Sequence, residues 1–547
     1  MSHSAMEDTI STTPAPNASS TTKKDQDVTH GLDNINMSDK DKDRAKELLE
    51  RVGHRIELTP ENNKRVCRKI DMRVLPVILF VYFLQALDKS TLAYASVFGL
   101  IDDTGLVGDQ YSWLGSCVYA AQLVAQPLVA WCLVKLPLGK FLAGTVFLWG
   151  AVLSIMPAAH NFGGLLAART LLGLFEAGVA PTFIAVTQMW WRRREQPVRL
   201  GAWYAMNGIT NMFGSLITYG LGHINSPSLH SYQIIFLFFG LITVGYSFVV
   251  LFMMPDSPTK TKILTEEEKL IAIERLRQNQ MGIENYSWKW AHVREAALDF
   301  KTWNWAIMMF SISVPSGGIS TFGPLIIQSF GYGPFETILF NIPFGAVQIV
   351  ATLGGAWAAT KIGRKAPVLM FLSIPPIVGC LMLLFLPRGA GHKAPLLVAY
   401  YLISVYPGIT PLIYSWSAGN TAGETKKKTT TAALILAQSA GNILGPTLYT
   451  PAEKPLYRRG LISNLALFIV LIFLYIPQWG YLVWRNKKQA ARRTAMGKDA
   501  NVVDKSMNKV TAQQEGDDKH QAEEVEVADR SLDDRTDFEN EDFIYTY

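Results

Sequence analysis

Charge is in short supply in this chain: 18% of its 547 residues are charged and 49% are hydrophobic, where a soluble protein of that length carries about 25% charge. Cysteine is scarcer still. Cys67, Cys117, Cys132 and Cys380 are the whole set, and three fall within apolar runs. Their spacing implies neither a disulfide framework nor a zinc site, and no metal is expected. Cys67, beside the first apolar run, is the one cysteine placed where lipidation would be sought. Nucleophile motifs and phosphate-binding glycine loops are missing from loops and tails alike, so no enzyme activity and no cofactor are expected. The first sixty residues lack the apolar core of a signal peptide. No cleaved leader is expected, and the Asn17 and Asn36 sequons are expected to stay cytosolic and unmodified.

What is present is long apolar runs. Windows of helical length fall at about 73–94, 111–134, 141–158, 163–190, 199–221 and 232–254, and again at 303–329, 335–360, 366–387, 394–416, 429–450 and 461–484. Each averages about twenty residues, which at about 1.5 Å per residue crosses roughly 30 Å of hydrocarbon. The pattern predicts an all-α integral membrane protein of twelve transmembrane helices in two six-helix bundles. The expected organisation is a disordered cytoplasmic tail (1–60), a first bundle (61–254), a central cytoplasmic loop (255–302), a second bundle (303–486) and a disordered cytoplasmic tail (487–547).

The net charge of +6 would suit nucleic acid if it sat in a module of its own. Instead, the basic residues border apolar helices, so the lipid bilayer and not nucleic acid is the expected partner. Lys64, Arg65, Arg68, Lys69 and Arg73 precede the first run, Lys135 and Lys140 follow the second, and Arg192, Arg193, Arg194 and Arg199 follow the fourth. Lys361, Arg364 and Lys365, then Lys426, Lys427 and Lys428, continue the same side, which puts both termini in the cytoplasm. Arg388, Lys393, Arg458 and Arg459 are exceptions on the opposite side. In the central loop, Thr265 and Glu268 form a capping-box pattern that opens a helix through about Arg277, and Trp288 and Trp290 suit an anchor at the headgroups.

Ionisable residues inside a span are costly and mark a pathway by default. Four stand out: Asp88 and Lys89 in the first span, Arg169 and Glu176 in the fourth. Arg169 and Glu176 lie seven residues apart, two turns along one face. Asp88 and Arg169 reach similar depths, so Asp88 is the expected partner of Arg169 if the two helices are neighbours, with Gly173, Ala177 and Gly178 as a small face for close approach. The resulting cavity would hold two cationic and two acidic groups. An anion would compete with Asp88 for the planar guanidinium fork, with a proton as the natural partner in charge balance. Tyr82 and Gln85, lower on the first span, would line the same cavity. The alternative is that these charges only pair to hold helices together, or that Asp88 and Lys89 snorkel to an interface. Pro315, Gly317 and Gly318 are expected to interrupt the seventh span, and Gly441 and Gly445, beside Asn442, form a small-xxx-small pair in the eleventh. These features suit either gating and solute lining or close helix packing.

The run GGAWAATKIGRK from Gly354, which includes Gly355, Thr360, Gly363, Arg364 and Lys365, resembles the cytoplasmic loop signature of the major facilitator superfamily, with Thr360 where an acidic residue is usual. RTLLGLFEAGVAP from Arg169, LDKS around Asp88, PDSP at 255–258, GNILGP from Gly441, MWWRRREQPVR from Met189 and WKW at 288–290 together resemble the anion:cation symporter family and its fungal allantoate permease branch. That resemblance implies Arg169 as the residue gripping a substrate carboxylate and Lys89 as a second cationic contact, with Glu176 and Asp88 as protonation sites. Lys89 stands where many relatives have arginine. Tyr82, Gln85 and Asn442 complete the expected binding residues. The function expected is proton-coupled uptake of a small organic anion, such as allantoate, ureidosuccinate, a vitamin carboxylate or a dipeptide, by a monomer in the plasma membrane. Proton-antiport efflux is a weaker alternative because the fifth span lacks a Gly-Pro pair; a nutrient sensor signalling through its tails is another.

Overall fold

The computed structural model describes residues 59–191, 195–261, 263–278, 289–497, 535–540 and 543–547. The sequons, Arg192, Arg193, Arg194 and Trp288 lie outside these residues. Among the described residues the chain is helical with no strands. Backbone groups in hydrocarbon must satisfy one another locally, which a helix does along its own length.

The first bundle comprises α1 (Pro60–Arg73), α2 (Leu75–Val97), α3 (Gln110–Lys135), α4 (Leu138–Ile155), α5 (Phe162–Glu176), α6 (Val179–Trp190), α7 (Gln196–Gly222) and α8 (Ser231–Met253). The central loop supplies α9 (Glu266–Gln278) and α10 (Trp290–Leu298). The second bundle comprises α11 (Phe300–Gln328), α12 (Asn341–Ile362), α13 (Ala366–Phe385), α14 (Lys393–Ile403), α15 (Ile409–Gly419), α16 (Glu424–Thr447) and α17 (Arg458–Ala495).

Each of the twelve expected spans coincides with a helix or a broken pair. The fourth is split between α5 and α6 because Pro181 has no N–H to bond the Ala177 carbonyl. The tenth is split between α14 and α15 around a short turn at Tyr406–Gly408. Nine spans among the described residues are long and apolar enough to cross a membrane by length and composition. The other three, α3, α7 and α16, are 26, 27 and 24 residues long and more polar. They are also the helices at the junction of the bundles, where α7 packs on α12 and α3 on α16. A helix facing protein and the central space need not be apolar all round.

Two expectations are corrected. The seventh span is not interrupted: α11 runs unbroken with Pro315 and Pro324 inside it. Its glycines are contact points instead. A Cβ on Gly317 would sit 2.8 Å from Asn442 O on α16, and one on Gly441 would sit 2.8 Å from Phe310 O on α11. The expected tail boundary at 486 also gives way. Helix α17 continues to Ala495, and Thr536, Asp537 and Tyr545 are buried against the second bundle.

The loop helices divide their allegiance. Thr265 and Glu268 form the predicted capping box, with Thr265 N donating to Glu268 Oε2 at 3.0 Å and Glu268 N to Thr265 Oγ1 at 3.3 Å. Helix α9 then docks on the first bundle through Lys69 to Glu268 (2.6 Å) and Arg275 to Glu195 (2.9 Å). Helix α10 docks on the second bundle, where Lys426 meets Glu295 at 2.7 Å. Trp290, at its start, is exposed, as a headgroup anchor would be. Cys67 is half-buried, 3.4 Å from Arg199 Nη2 and 3.8 Å from Asp71 Oδ2.

Candidate functional site: a buried charged cluster in the first bundle

Helix α2 carries Tyr82, Gln85, Asp88 and Lys89, and α5 carries Arg169 and Glu176. The two helices do not pack along each other, so the expected neighbour relation fails at the backbone and only long side chains bridge the space. The pairing also differs from expectation. Lys89 Nζ lies 3.3 Å from Glu176 Oε1, whereas Asp88 turns to α4 and accepts from Trp149 Nε1 at 3.0 Å. Arg169 donates from Nε to the Leu114 carbonyl of α3 at 3.3 Å and forms no ion pair with Asp88.

The cluster is buried but unevenly so. Asp88, Arg169 and Glu176 are nearly inaccessible, while the Lys89 side chain keeps 31% of its surface, against 0% for Glu176. Its ammonium also stands 5.9 Å from the centre of the Tyr119 ring, a cation–π arrangement. Arg169 Nη1, Asp88 Oδ1 and both Glu176 oxygens are buried without a hydrogen-bond partner. Buried polar atoms normally find partners. Several left unsatisfied together give this cluster the capacity to bind a further polar group. Glu176 is also the last residue of α5, where the negative end of the helix dipole disfavours a carboxylate.

The small face of α5 serves a different neighbour from the one expected. A Cβ on Gly173 would come within 2.5 Å of Val118 O on α3, and one on Gly178 would meet the Phe141 ring of α4 at 3.0 Å. Tyr82 joins the cluster's surroundings by accepting from Asn207 Nδ2 of α7 at 3.1 Å, and Gln85 is buried one turn before Lys89. Asn442 lies apart on α16, half-buried, with no bond to the charged residues. Sequence reasoning missed Trp149, Tyr119 and Asn207. For Trp149 a signal existed: an indole N–H in the middle of an apolar span needs an acceptor.

The loop motif is structural at its centre. Gly363 caps α12 with φ 69°, a left-handed conformation suited to glycine, and Gly355 is buried against Leu372 of α13. Thr360 bonds its own helix at the Ala356 carbonyl, 2.9 Å away, and Arg364 is exposed. Lys365 Nζ donates to the Ser415 carbonyl at 2.8 Å.

Hydrogen bonds between the bundles run from mid-depth to the face remote from the basic loops: Asn211 to Gln348 at 2.8 Å, Ser116 to Ile443 O at 2.7 Å, Tyr111 to Thr321 O at 2.9 Å and Ser112 to Tyr449 O at 2.6 Å. Phe335 closes that face against Phe98, Tyr219 and His223.

Two helical bundles of a multi-pass membrane protein, joined at one face and holding a buried charged cluster, define a membrane transporter. The chain belongs to the Major Facilitator Superfamily, whose family model matches residues 78–446. Its relatives include an uncharacterized transporter of Schizosaccharomyces pombe, 35% identical over 79% of this chain and 82% of the relative. A thiamine pathway transporter of Saccharomyces cerevisiae is 31% identical over 85% and 86%, and the allantoate permease of the same yeast is 29% identical over 94% and 91%. Among solved structures, a bacterial homolog of the human lysosomal transporter Spinster, in an inward-facing and unoccupied conformation, aligns with a TM-score of 0.55 at 16% identity, covering 77% of this chain and 98% of that one. The xylose transporter from E. coli aligns with the same TM-score at 12% identity, covering 75% and 98%. These two likenesses bear on the fold alone.

Proposed function

We propose that the protein is a proton-coupled carrier that takes up a small organic anion by alternating access. The observation that carries this reading is the buried guanidinium of Arg169, with Nη1 unpartnered, in one cluster with Lys89, whose carboxylate partner among the described residues, Glu176, has no hydrogen bond of its own. A carboxylate substrate satisfies the Arg169 fork and draws Lys89 away from Glu176, and a proton on Glu176 then removes the charge left behind. Asp88, held by Trp149, is the second protonation site. Tyr82, Gln85 and, from the second bundle, Asn442 line the path.

The units that rock are the first bundle, from α1 to α8, and the second, from α11 to α17. Closure on the face remote from the basic loops fits a cavity open to the cytoplasm, with both termini on that side and the plasma membrane as host. Likeness to the allantoate permease supports allantoate or a related ureide as substrate; the proposed class extends to vitamin carboxylates and dipeptides, and the proposed carrier is a monomer.

Uptake of radiolabelled small carboxylates, screened by competition at two pH values, tests the substrate class. Glu176→Gln is expected to abolish pH-driven accumulation while sparing substrate exchange across the membrane. Concentrative uptake that survives this substitution rejects the proton role.

A further inference from the structure

A second charged cluster, which the transport site does not use, lies at the basic face of the second bundle. Lys301 of α11 and Lys426 of α16 are both 0% exposed, and Arg485 of α17 is 8% exposed. The helices bring too few carboxylates to balance them. Asp299 lies 2.8 Å from Lys301 and 3.0 Å from Lys426, and Glu295 reaches Lys426 from a partly exposed position. Burying a third cation without another anion would be costly.

Residues 535–540 and 543–547 supply the remainder. Asp537 is 0% exposed and pairs with both lysines, at 2.8 Å to Lys426 and in direct contact with Lys301. The Phe538 ring sits against all three cations, 3.6 Å from Arg485, 3.8 Å from Lys426 and 4.7 Å from Lys301. The Tyr545 hydroxyl donates to Asp537 Oδ2 at 2.8 Å and accepts from Arg485 Nη2 at 3.2 Å.

The segment's main chain is read as well. Asn486 takes both peptide groups of Tyr545, donating to its carbonyl at 2.8 Å and accepting from its N–H at 2.9 Å. Asn420 does the same for Thr546, at 2.9 and 2.8 Å. Gln489 donates to the carbonyls of Asp537 and Asn540 at 3.0 and 2.9 Å. Two asparagines that each pair with the N–H and the carbonyl of one residue, around a buried carboxylate and an aromatic ring, have the form of a peptide-recognition site.

The segment also holds the central loop. Thr536 Oγ1 donates to Glu295 Oε2 of α10 at 2.9 Å, and Glu539 lies 3.8 Å from His292 of the same helix. Between α9, fixed to the first bundle, and α10 stand residues 279–289, eleven positions that reach at most about 36–40 Å when extended. Detaching α10 would add its nine residues to that tie.

We propose that the basic face of the second bundle is a receptor for an acidic–aromatic peptide, filled in cis by residues 535–540 and 543–547, and that this occupancy anchors α10 and so fixes the length of the tie between the bundles. The effect on the carrier cycle rests on the transport reading above; the binding site itself does not.

The test uses the full chain lacking residues 535–547, purified in detergent, and a fluorescent synthetic peptide of residues 532–547. Saturable binding to the deleted protein is expected, at least tenfold tighter than to the intact chain, whose site is already filled. A peptide carrying Asp537→Asn and Phe538→Ala is expected to bind at least tenfold more weakly. Absence of binding by a deleted protein that still melts cooperatively, or equal binding of both peptides, overturns the proposal. Should the deleted protein not fold, hydrogen exchange on the intact chain carrying the same double substitution decides. Faster exchange is expected in both 535–547 and α10, and unchanged exchange in α10 overturns the anchoring. None of these readouts needs transport, so a failed uptake assay leaves them interpretable.

Discussion

Asp88 and Lys89 are neighbours in sequence, yet they serve different helices. Consecutive residues on an α-helix point about 100° apart, so the azimuth of α2 alone decides which of the two faces α5. It presents Lys89 to Glu176 and turns Asp88 to Trp149. That the four charges lie within spans was legible; which would meet which was not. Trp149 is the sole hydrogen-bond donor to Asp88 among the described side chains. Trp149→Phe therefore leaves a buried carboxylate with neither oxygen partnered. The expected cost is about 1–3 kcal/mol of stability, seen as a lower melting temperature, together with slower uptake. A variant that melts and transports like the parent would show the indole bond to be dispensable.

Helices α9 and α10 illustrate how far an element can be read without its surroundings. The capping box at Thr265 and Glu268 was visible as a spacing, and it forms. That each loop helix binds a different bundle was not visible, since the partners Lys69, Glu195 and Lys426 are remote in sequence. Burial would raise the Glu268 carboxyl, but the Lys69 ammonium and the Thr265 N–H outweigh it and hold it below its ordinary value of 4.5. Because the folded-state value is depressed, the stabilisation is present above about pH 4.5 and is lost as pH falls through the lowered value. Protection of the amides of residues 266–278 against hydrogen exchange, relative to the intrinsic rate at each pH, is accordingly expected to hold from pH 7 to about pH 4.5 and to fall below it. Glu268→Gln should lower it at every pH. The glycines of α11 and α16 carry a related lesson: a small residue in an apolar span reads equally as a break or as a contact, and only the facing backbone distinguishes the two.

At the scale of the whole molecule, the bundles meet on one side. Gly208 of α7 and Gly345 of α12 abut there; a Cβ on Gly208 would lie 2.7 Å from Gly345 O, and one on Gly345 would lie 2.5 Å from Gly208 O. Gly208→Leu is therefore expected to keep the bundles from closing in this arrangement and to lower uptake by more than tenfold. Uptake equal to the parent's would show that this junction does not have to form during transport.

The sequence by itself determined the number and approximate position of the spanning helices, the gathering of basic residues in one set of loops, and the charges within the first and fourth spans. Each follows from a local cost, that of placing a polar group or an open backbone in hydrocarbon. Only the tertiary structure decided the pairing of Lys89 with Glu176, the bond from Trp149 to Asp88, the split anchorage of the central loop and the docking of residues 535–540 and 543–547. These depend on the rotation and separation of helices far apart in the chain. Such quantities emerge from the summed packing of many side chains and leave no periodicity for a single sequence to display.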